Sequence, residues 1–379
     1  MTRILVSGDF QIGAGQTLGR TLVDQDELLA RIVDIAEREQ TELFLFLGDA
    51  FQNRSTNRDQ DEVFMRFLVA MSRVCPILLL GGNHDWRGYE RASTVGIFRE
   101  MGVRVALEPG VHRFGKVAVA TLPWAALGHL VAASDGGERA RTNEEAAAHL
   151  VSIAGGLRSQ IAQDEIAILA GHWAVTGASL PTGLPVEMLK EPVVEIADLL
   201  AQKWDAVVLG HIHKPQVMSQ DPLALYVGSP WANDWSEASN PHGVWIMDSA
   251  MSPGSGWVAI PDHPFITFEP EVGMDLDALA EGAAAVEDAI VRVQISATPE
   301  QARRLDLAAL KEALYAAGAH FIAPIQLEIV KPERARIEGL NEDLDELAAL
   351  ELWLDAAGVN GDRADALRER TQSYLGAVR

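Results

Sequence analysis

Asp9, Asp49, Asn83, His172, His211 and His213 are all of metal-ligating type, and each lies in a short glycine-led motif. In chain order the motifs are Gly-Asp-Phe-Gln ending at Gln11, Gly-Asp-Ala-Phe-Gln around Asp49, Gly-Asn-His-Asp at 82–85, Gly-His at 171–172 and Gly-His-Ile-His at 210–213. Each directly follows an apolar run, at residues 4–6, 43–47, 77–80, 166–170 and 206–209. Short apolar runs of this kind read as buried parallel strands. The polar residue then falls at the C-terminal mouth of its strand, the edge at which open α/β sheets bind ligands. Carboxylate, amide oxygen and imidazole together suit hard to borderline divalent ions, and no thiolate is present in the motifs to favour softer ones. Two such ions, roughly 3.5–4 Å apart, clamp the attacking and leaving oxygens of a phosphoryl displacement. Asp49 is able to bridge them, and His84, beside Asn83, is placed as a proton donor.

Taken singly, each motif has a plainer explanation. Asn83 and Asp85 suit a turn, and a lone histidine at a strand end is more often structural. Five motifs in order, each after an apolar run, point instead to one metal site. His112, His129, His149, His242, His263 and His320 match no motif position and read as ordinary residues.

The motif set resembles the calcineurin-like metallophosphoesterases, and in particular the SbcD-type nucleases, bacterial counterparts of the double-strand-break repair nuclease. Lys214-Pro215-Gln216, the segment Tyr226 to Pro230, and Glu237 extend the likeness over nearly the whole chain. The resemblance implies a four-layer αββα sandwich, with Asp9 and His213 on a first metal, Asp49 bridging, and Asn83, His172 and His211 on a second. It also implies that His84 is the catalytic histidine, and adjacency suggests Asp85 to orient it. The ions it implies are manganese first, with magnesium, iron or zinc as alternatives. Its further implications are DNA as substrate, an SMC-like coiled-coil ATPase of the SbcC type as partner, a homodimer built from early helices, and a role in DNA repair or recombination.

One departure stands out. The family's first motif is usually Asp-x-His, and here it is Asp9-Phe10-Gln11. Glutamine keeps an oxygen donor without the imidazole, so Gln11 is expected to retune or weaken the first metal position. Gln52 likewise occupies a position where relatives often carry His or Asp.

The chain has 379 residues, 48% of them apolar, which calls for two or three globular domains. No apolar run approaches the ~18–20 residues that span a bilayer, and the N-terminus leads straight into the first strand without a signal peptide. The single cysteine, Cys75, excludes an internal disulfide and suits a reducing cytoplasm. The net charge of −23 opposes DNA binding, which draws on neutralised phosphates. Arg54, Arg58, Arg87 and Arg91 cluster after motifs and offer a local phosphate-binding rim, and a DNA-binding partner would supply the rest.

Residues 1–262 alternate strands with helices at about 24–40, 58–73 and 142–163, then give strands near 223–227, 243–247 and 256–260. This is the expected phosphoesterase domain. A small α/β unit is expected at 263–336, with a strand at 289–295, a helix from Thr298 to Ala317 and a strand at 321–330, and the resemblance makes it a capping domain. Residues 337–379 read as a helical pair with an apolar stripe at Leu340, Leu344, Leu347, Leu350 and Leu354, closed by Gly358. The resemblance makes this pair the ATPase docking element. Trp86, Trp173, Trp231 and Trp235 lie near the motif loops and are assigned to packing. Two other functions compete with a nuclease: a small-molecule phosphodiesterase or phosphatase, and a binding subunit whose catalysis Gln11 has weakened.

Overall fold

The computed structural model describes residues 2–86, 93–124, 142–248, 256–270, 286–330 and 344–378. The chain forms two compact units. The first comprises Met1–Pro270, Met274–Val293 and Leu307–Gln326, and the second Glu271–Gly273, Gln294–Asp306 and Leu327–Arg379.

The first unit is built on strands β1 (Arg3–Ser7), β2 (Leu43–Phe46), β3 (Ile77–Leu80), β4 (Arg104–Ala106), β5 (Gly110–Phe114), β6 (Val117–Leu122) and β7 (Ile166–His172). A short ribbon, β8 (Ala174–Val175) with β9 (Val193–Val194), precedes β10 (Ala206–Gly210), β11 (Gln216–Gln220), β12 (Leu223–Tyr226), β13 (Gly243–Asp248) and β14 (Trp257–Ala259). They make two six-stranded sheets, ordered β14-β13-β1-β2-β3-β4 and β11-β12-β10-β7-β6-β5. Strands β1 to β4 are parallel neighbours, as are β12, β10, β7 and β6, while β13 and β5 run antiparallel beside them.

The period of two decides the layers. Ile4, Val6, Leu43, Leu45, Leu78 and Leu80 face Val119, Ile168, Ala170, Val208 and Leu225 between the sheets. The alternate residues Leu5, Phe44, Phe46 and Leu79 pack outward against α1 (Leu22–Arg38) and α2 (Arg58–Val74). On the far side, Ala118, Leu169, Val207 and Leu209 pack with the helix Asn143–Arg158. The order is therefore helix, sheet, sheet, helix, and the central strands must be apolar on both faces. Capping boxes at Thr21 with Asp24, and at Asn57 with Gln60, start α1 and α2.

Strands β15 (Phe265–Phe268), β16 (Ile290–Ala297) and β17 (Phe321–Ile322) form a third, parallel sheet, and β18 (Gln326–Ile329) also pairs with β16. The strand expected over 321–330 is split because Pro324 between β17 and β18 has no amide to donate. The helix expected from Thr298 to Ala317 is likewise two pieces, Pro299–Ala302 and Leu307–Ala316. Leu18, Ala232 and Ile290, with Phe265 and Phe321, join this sheet to the loop that follows Gln11.

In the second unit, the helices Glu346–Ala356 and Asp362–Val378 are separated by Gly358 and Gly361, both at positive φ. Arg368 bonds both carboxylate oxygens of Glu351. Leu354 is buried, whereas Trp353 and Tyr374 are exposed; Leu340 of the expected stripe lies outside the described residues. Among the described residues, no helix is long and apolar enough to cross a membrane.

The outer face of the first sheet is an aromatic cluster. The Phe64 ring lies 5.1–6.3 Å from those of Phe98, Phe51, Phe46, Phe67 and Phe10. Phe64→Ala should therefore cost about 3–5 kcal/mol of unfolding free energy, read by urea denaturation. A loss below about 1 kcal/mol would mean that the cluster adjusts to fill the space.

Candidate metal centre

The donors come from the C-terminal ends of both sheets, not of one. Asp9 follows β1, Asp49 follows β2 and Asn83 follows β3, while His172 ends β7 and His211 follows β10. Pairing continues past β1 and β2 through Leu47 N–H to Ser7 O (2.8 Å), Asp9 N–H to Gly48 O (2.9 Å) and Gln11 N–H to Asp49 O (3.1 Å). Asp9 and Asp49 are thereby held side by side. Asp9, Gln11, Asp49 and His211 all have positive φ, of 54, 48, 57 and 86°. Non-glycine residues rarely adopt this region, and such strain gathers at functional sites. The glycines allow close approach: a Cβ on Gly82 would meet Asp49 Oδ1 at 2.1 Å, and one on Gly48 would meet His172 Nδ1 at 2.6 Å.

Asp9, Asp49 and His172 are buried and can place one ligand atom each within 4.8 Å of one another. Both Asp9 oxygens accept the His211 amide at 3.1 Å. Asp49 accepts from Gln11 Nε2 (2.9 Å) and from the His84 amide (2.8 Å). Gln11 Oε1 is buried with no hydrogen-bond partner.

The histidines carry the clearest signal. His172 Nδ1 is 2.6 Å from the Leu47 carbonyl, and its Nε2 faces Asn83 Oδ1 at 3.0 Å and Asp49 Oδ1 at 3.5 Å. His211 has Glu191 Oε1 at 2.6 Å on Nε2 and Asn83 Oδ1 at 3.0 Å on Nδ1. His213 meets Glu237 through Nδ1 and Asp9 Oδ1, 3.7 Å away, through Nε2. Each ring thus has acceptors at both nitrogens, but a neutral imidazole donates only once. A cation among the inward-facing nitrogens and oxygens resolves this, so the residues present fit divalent metal ions.

The charges respond accordingly. Burial opposes a proton on His172, but Asp49 outweighs it and lifts the pKa to about 9; burial likewise opposes one on His213, and Glu237 lifts it to about 9. Burial pushes Asp9 up. Burial would also raise Asp49, but His172 holds it well below the usual carboxylate range. Burial, then the neighbouring Asp49, raises Asp85 to about 7.

Asp85 is not in position to orient His84. Its carboxylate accepts the amides of Gly82 (2.8 Å), Asp49 (2.9 Å) and Ala50 (3.2 Å), locking two ligand loops together. The Gln52 carbonyl takes the orienting role, 2.5 Å from His84 Nδ1, while His84 Nε2 lies 3.9 Å from Asp49 Oδ2. Arg54 is exposed, Arg58 is paired with Glu62 at 2.7 Å, and Arg87 and Arg91 lie outside the described residues. Trp173 and Trp231 are buried, in keeping with packing. Glu191 is invisible to motif reading because it belongs to no motif and lies 20 residues from His211.

Fold and site together define a metal-dependent phosphoesterase. Residues 2–215 match the calcineurin-like phosphoesterase family, and the chain belongs to it. It is similar to the D subunit of the nuclease SbcCD from Bacillus subtilis, with 27% identity over 67% of this chain and 68% of that protein. The proteins of the same name from Staphylococcus saprophyticus and Staphylococcus epidermidis are 22% and 24% identical, over 65% of this chain and 65% and 66% of theirs. The match thus spans about two thirds of the length of these relatives. Among solved structures, the TT1561 protein of Thermus thermophilus aligns with a TM-score of 0.38 and 15% identity, over 65% of this chain and 94% of that one.

Glu191 and Glu237 each hold the outer nitrogen of a histidine, and such partners typically contribute 10–100-fold in metal affinity. Glu191→Gln and Glu237→Gln should each weaken manganese binding by about that factor in calorimetric titration; unchanged affinity would remove them from the site. A second expectation concerns the metal-depleted protein. His172 and His213 have folded pKa values near 9 against an ordinary 6.5, so their stabilisation is full below pH 6.5 and lost as pH rises through 9. Its melting temperature should fall across that window, and a flat or rising profile would contradict the assignment.

Proposed function

We propose that this chain is a two-metal DNA nuclease that works with an SbcC-like coiled-coil ATPase in end processing, repair or recombination. The observation that carries this reading is the convergence of seven donors from both sheets, Asp9, Gln11, Asp49, Asn83, His172, His211 and His213, beside the partly exposed His84. The relatives named as nuclease subunits supply the substrate class.

In this reading Asp9, Gln11 and His213 would hold one ion and Asn83, His172 and His211 the other, with the Asp49 carboxylate available to both. Bound there, manganese or a similar divalent ion supplies Lewis acidity to the scissile phosphate and the attacking water. The chain's own contribution is geometric and protonic. The Gln52 carbonyl accepts a hydrogen bond from His84 Nδ1–H and turns Nε2 to the site. With the ring protonated at both nitrogens, Nε2–H gives its proton to the departing 3′ oxygen and the ring is left neutral with Nδ1–H still bonded. Asp85 keeps the Asp49 and Asn83 loops in register, so the bridge and the proton donor hold their spacing.

Residues 1–262 carry the chemistry, 263–336 shape the DNA cleft, and 337–379 dock the ATPase through a helical pair on which Trp353 and Tyr374 are exposed. The net charge of −23 is the reason a partner is needed: counterion release favours basic surfaces, and Arg54 with its neighbours offers only a local rim. The protein acts as a cytoplasmic homodimer.

The test is manganese-dependent cleavage of linear double-stranded DNA, with His84→Ala alongside. Wild type should cleave, and the variant should lose about 10²–10⁴-fold in rate with its metal content unchanged. A fully active variant would refute the role of His84. Wild-type inactivity on DNA with a cognate ATPase supplied, alongside turnover of small phosphodiesters, would favour a small-molecule phosphodiesterase.

A further inference from the structure

His263, Asp288 and His320 belong to none of the motifs, yet the fold gathers them. His263 precedes β15, Asp288 precedes β16 and His320 precedes β17. The register Phe265 with Ile290, and Ile290 with Phe321, sets these starts side by side. Two imidazoles and a carboxylate therefore meet at the N-terminal edge of a parallel sheet, on the first compact unit.

We propose that His263, Asp288 and His320 bind one divalent transition-metal ion of the zinc class, at a site separate from the catalytic centre. His263 Nδ1 lies 3.0 Å from Asp288 Oδ1, and the three residues can present ligand atoms all within 4.8 Å of one another. The two imidazoles are stacked, with centroids 3.6 Å apart and planes 17° from parallel.

The backbone under each donor is fixed. Asp288 is held at a φ of 57°, with its amide donating to Gly318 O at 2.8 Å. The His320 amide donates to Ala289 O at 2.9 Å. The His263 amide donates to Asp262 Oδ1 at 2.9 Å, and Asp262 is itself paired with the buried Arg20 at 2.6 Å. Three donors of this kind, two nitrogens and one oxygen, suit zinc, cobalt or nickel, with solvent completing the coordination at a site that is open to water. Asp24 adds negative charge near His320, within a chain of net charge −23 that favours cations generally. An ion here would pin the starts of the three strands together. Arg20 lies at the end of the loop that runs on from Gln11, so the clip would brace that loop as well.

Zinc titration against a chromogenic chelator tests this in the full chain, with cobalt absorption as a second readout. The comparison is made in an Asp49→Asn background, which disables the catalytic centre. That protein should bind zinc and melt at a higher temperature with it. Adding His320→Gln, or Asp288→Asn, should abolish both the zinc equivalent and the thermal shift while leaving the circular dichroism unchanged. In the wild-type background, His263→Ala with His320→Ala should bind one zinc fewer and keep manganese-dependent phosphoesterase turnover. Equal zinc stoichiometry with and without these substitutions would overturn the proposal, because all bound metal would then sit at the catalytic centre.

Discussion

The arrangement depends on an electrostatic mismatch that only positive charge resolves. Three histidines stand at the mouths of the strands with oxygens at both ring nitrogens. On the outer side, the Leu47 carbonyl, Glu191 and Glu237 fix each ring. On the inner side, Asp9, Asp49 and Asn83 face the other nitrogen of each ring. Without a cation, the carboxylates around His172 and His213 favour an extra proton on those two rings and lift both to about 9. The two-sheet sandwich supplies the geometry: neither sheet alone carries enough donors, and packing their inner faces brings the two sets of strand ends together.

Holding so many acceptors together has a conformational cost. Four site residues occupy the left-handed region, where a non-glycine side chain is disfavoured. The buried aromatic cluster under β1 and β2 opposes that strain from one side, and Asp85 from the other. With three amide hydrogen bonds, Asp85 acts as a tie between loops. It is fully buried and taken up by backbone amides, which is why adjacency to His84 is a poor guide to its role.

Much of the fold and site is legible in the sequence because buried parallel strands and metal ligands both leave local marks. The apolar runs before Asp9, Asp49, Asn83, His172 and His211 form β1, β2, β3, β7 and β10. What is not legible is set by tertiary neighbours. Glu191 approaches His211 from a loop without a motif, and the Gln52 carbonyl serves His84 through its backbone, where side-chain identity carries no signal. The break between β17 and β18 at Pro324 is readable in principle, but the apolar pattern around it masks it. His263 and His320 look ordinary in sequence because Asp288 is 25 residues from His263 and is separated from His320 by β16 and two helices.

In the proposed function, one pair of ions would occupy the strand mouths with the Asp49 carboxylate shared between them. Electron paramagnetic resonance of the manganese-loaded protein tests this directly, because two ions joined by a carboxylate couple their spins. The wild-type protein should give a spin-coupled dimanganese spectrum that collapses to isolated-ion lines, or disappears, in Asp49→Asn. Only isolated six-line manganese in the wild-type protein at saturation would contradict it.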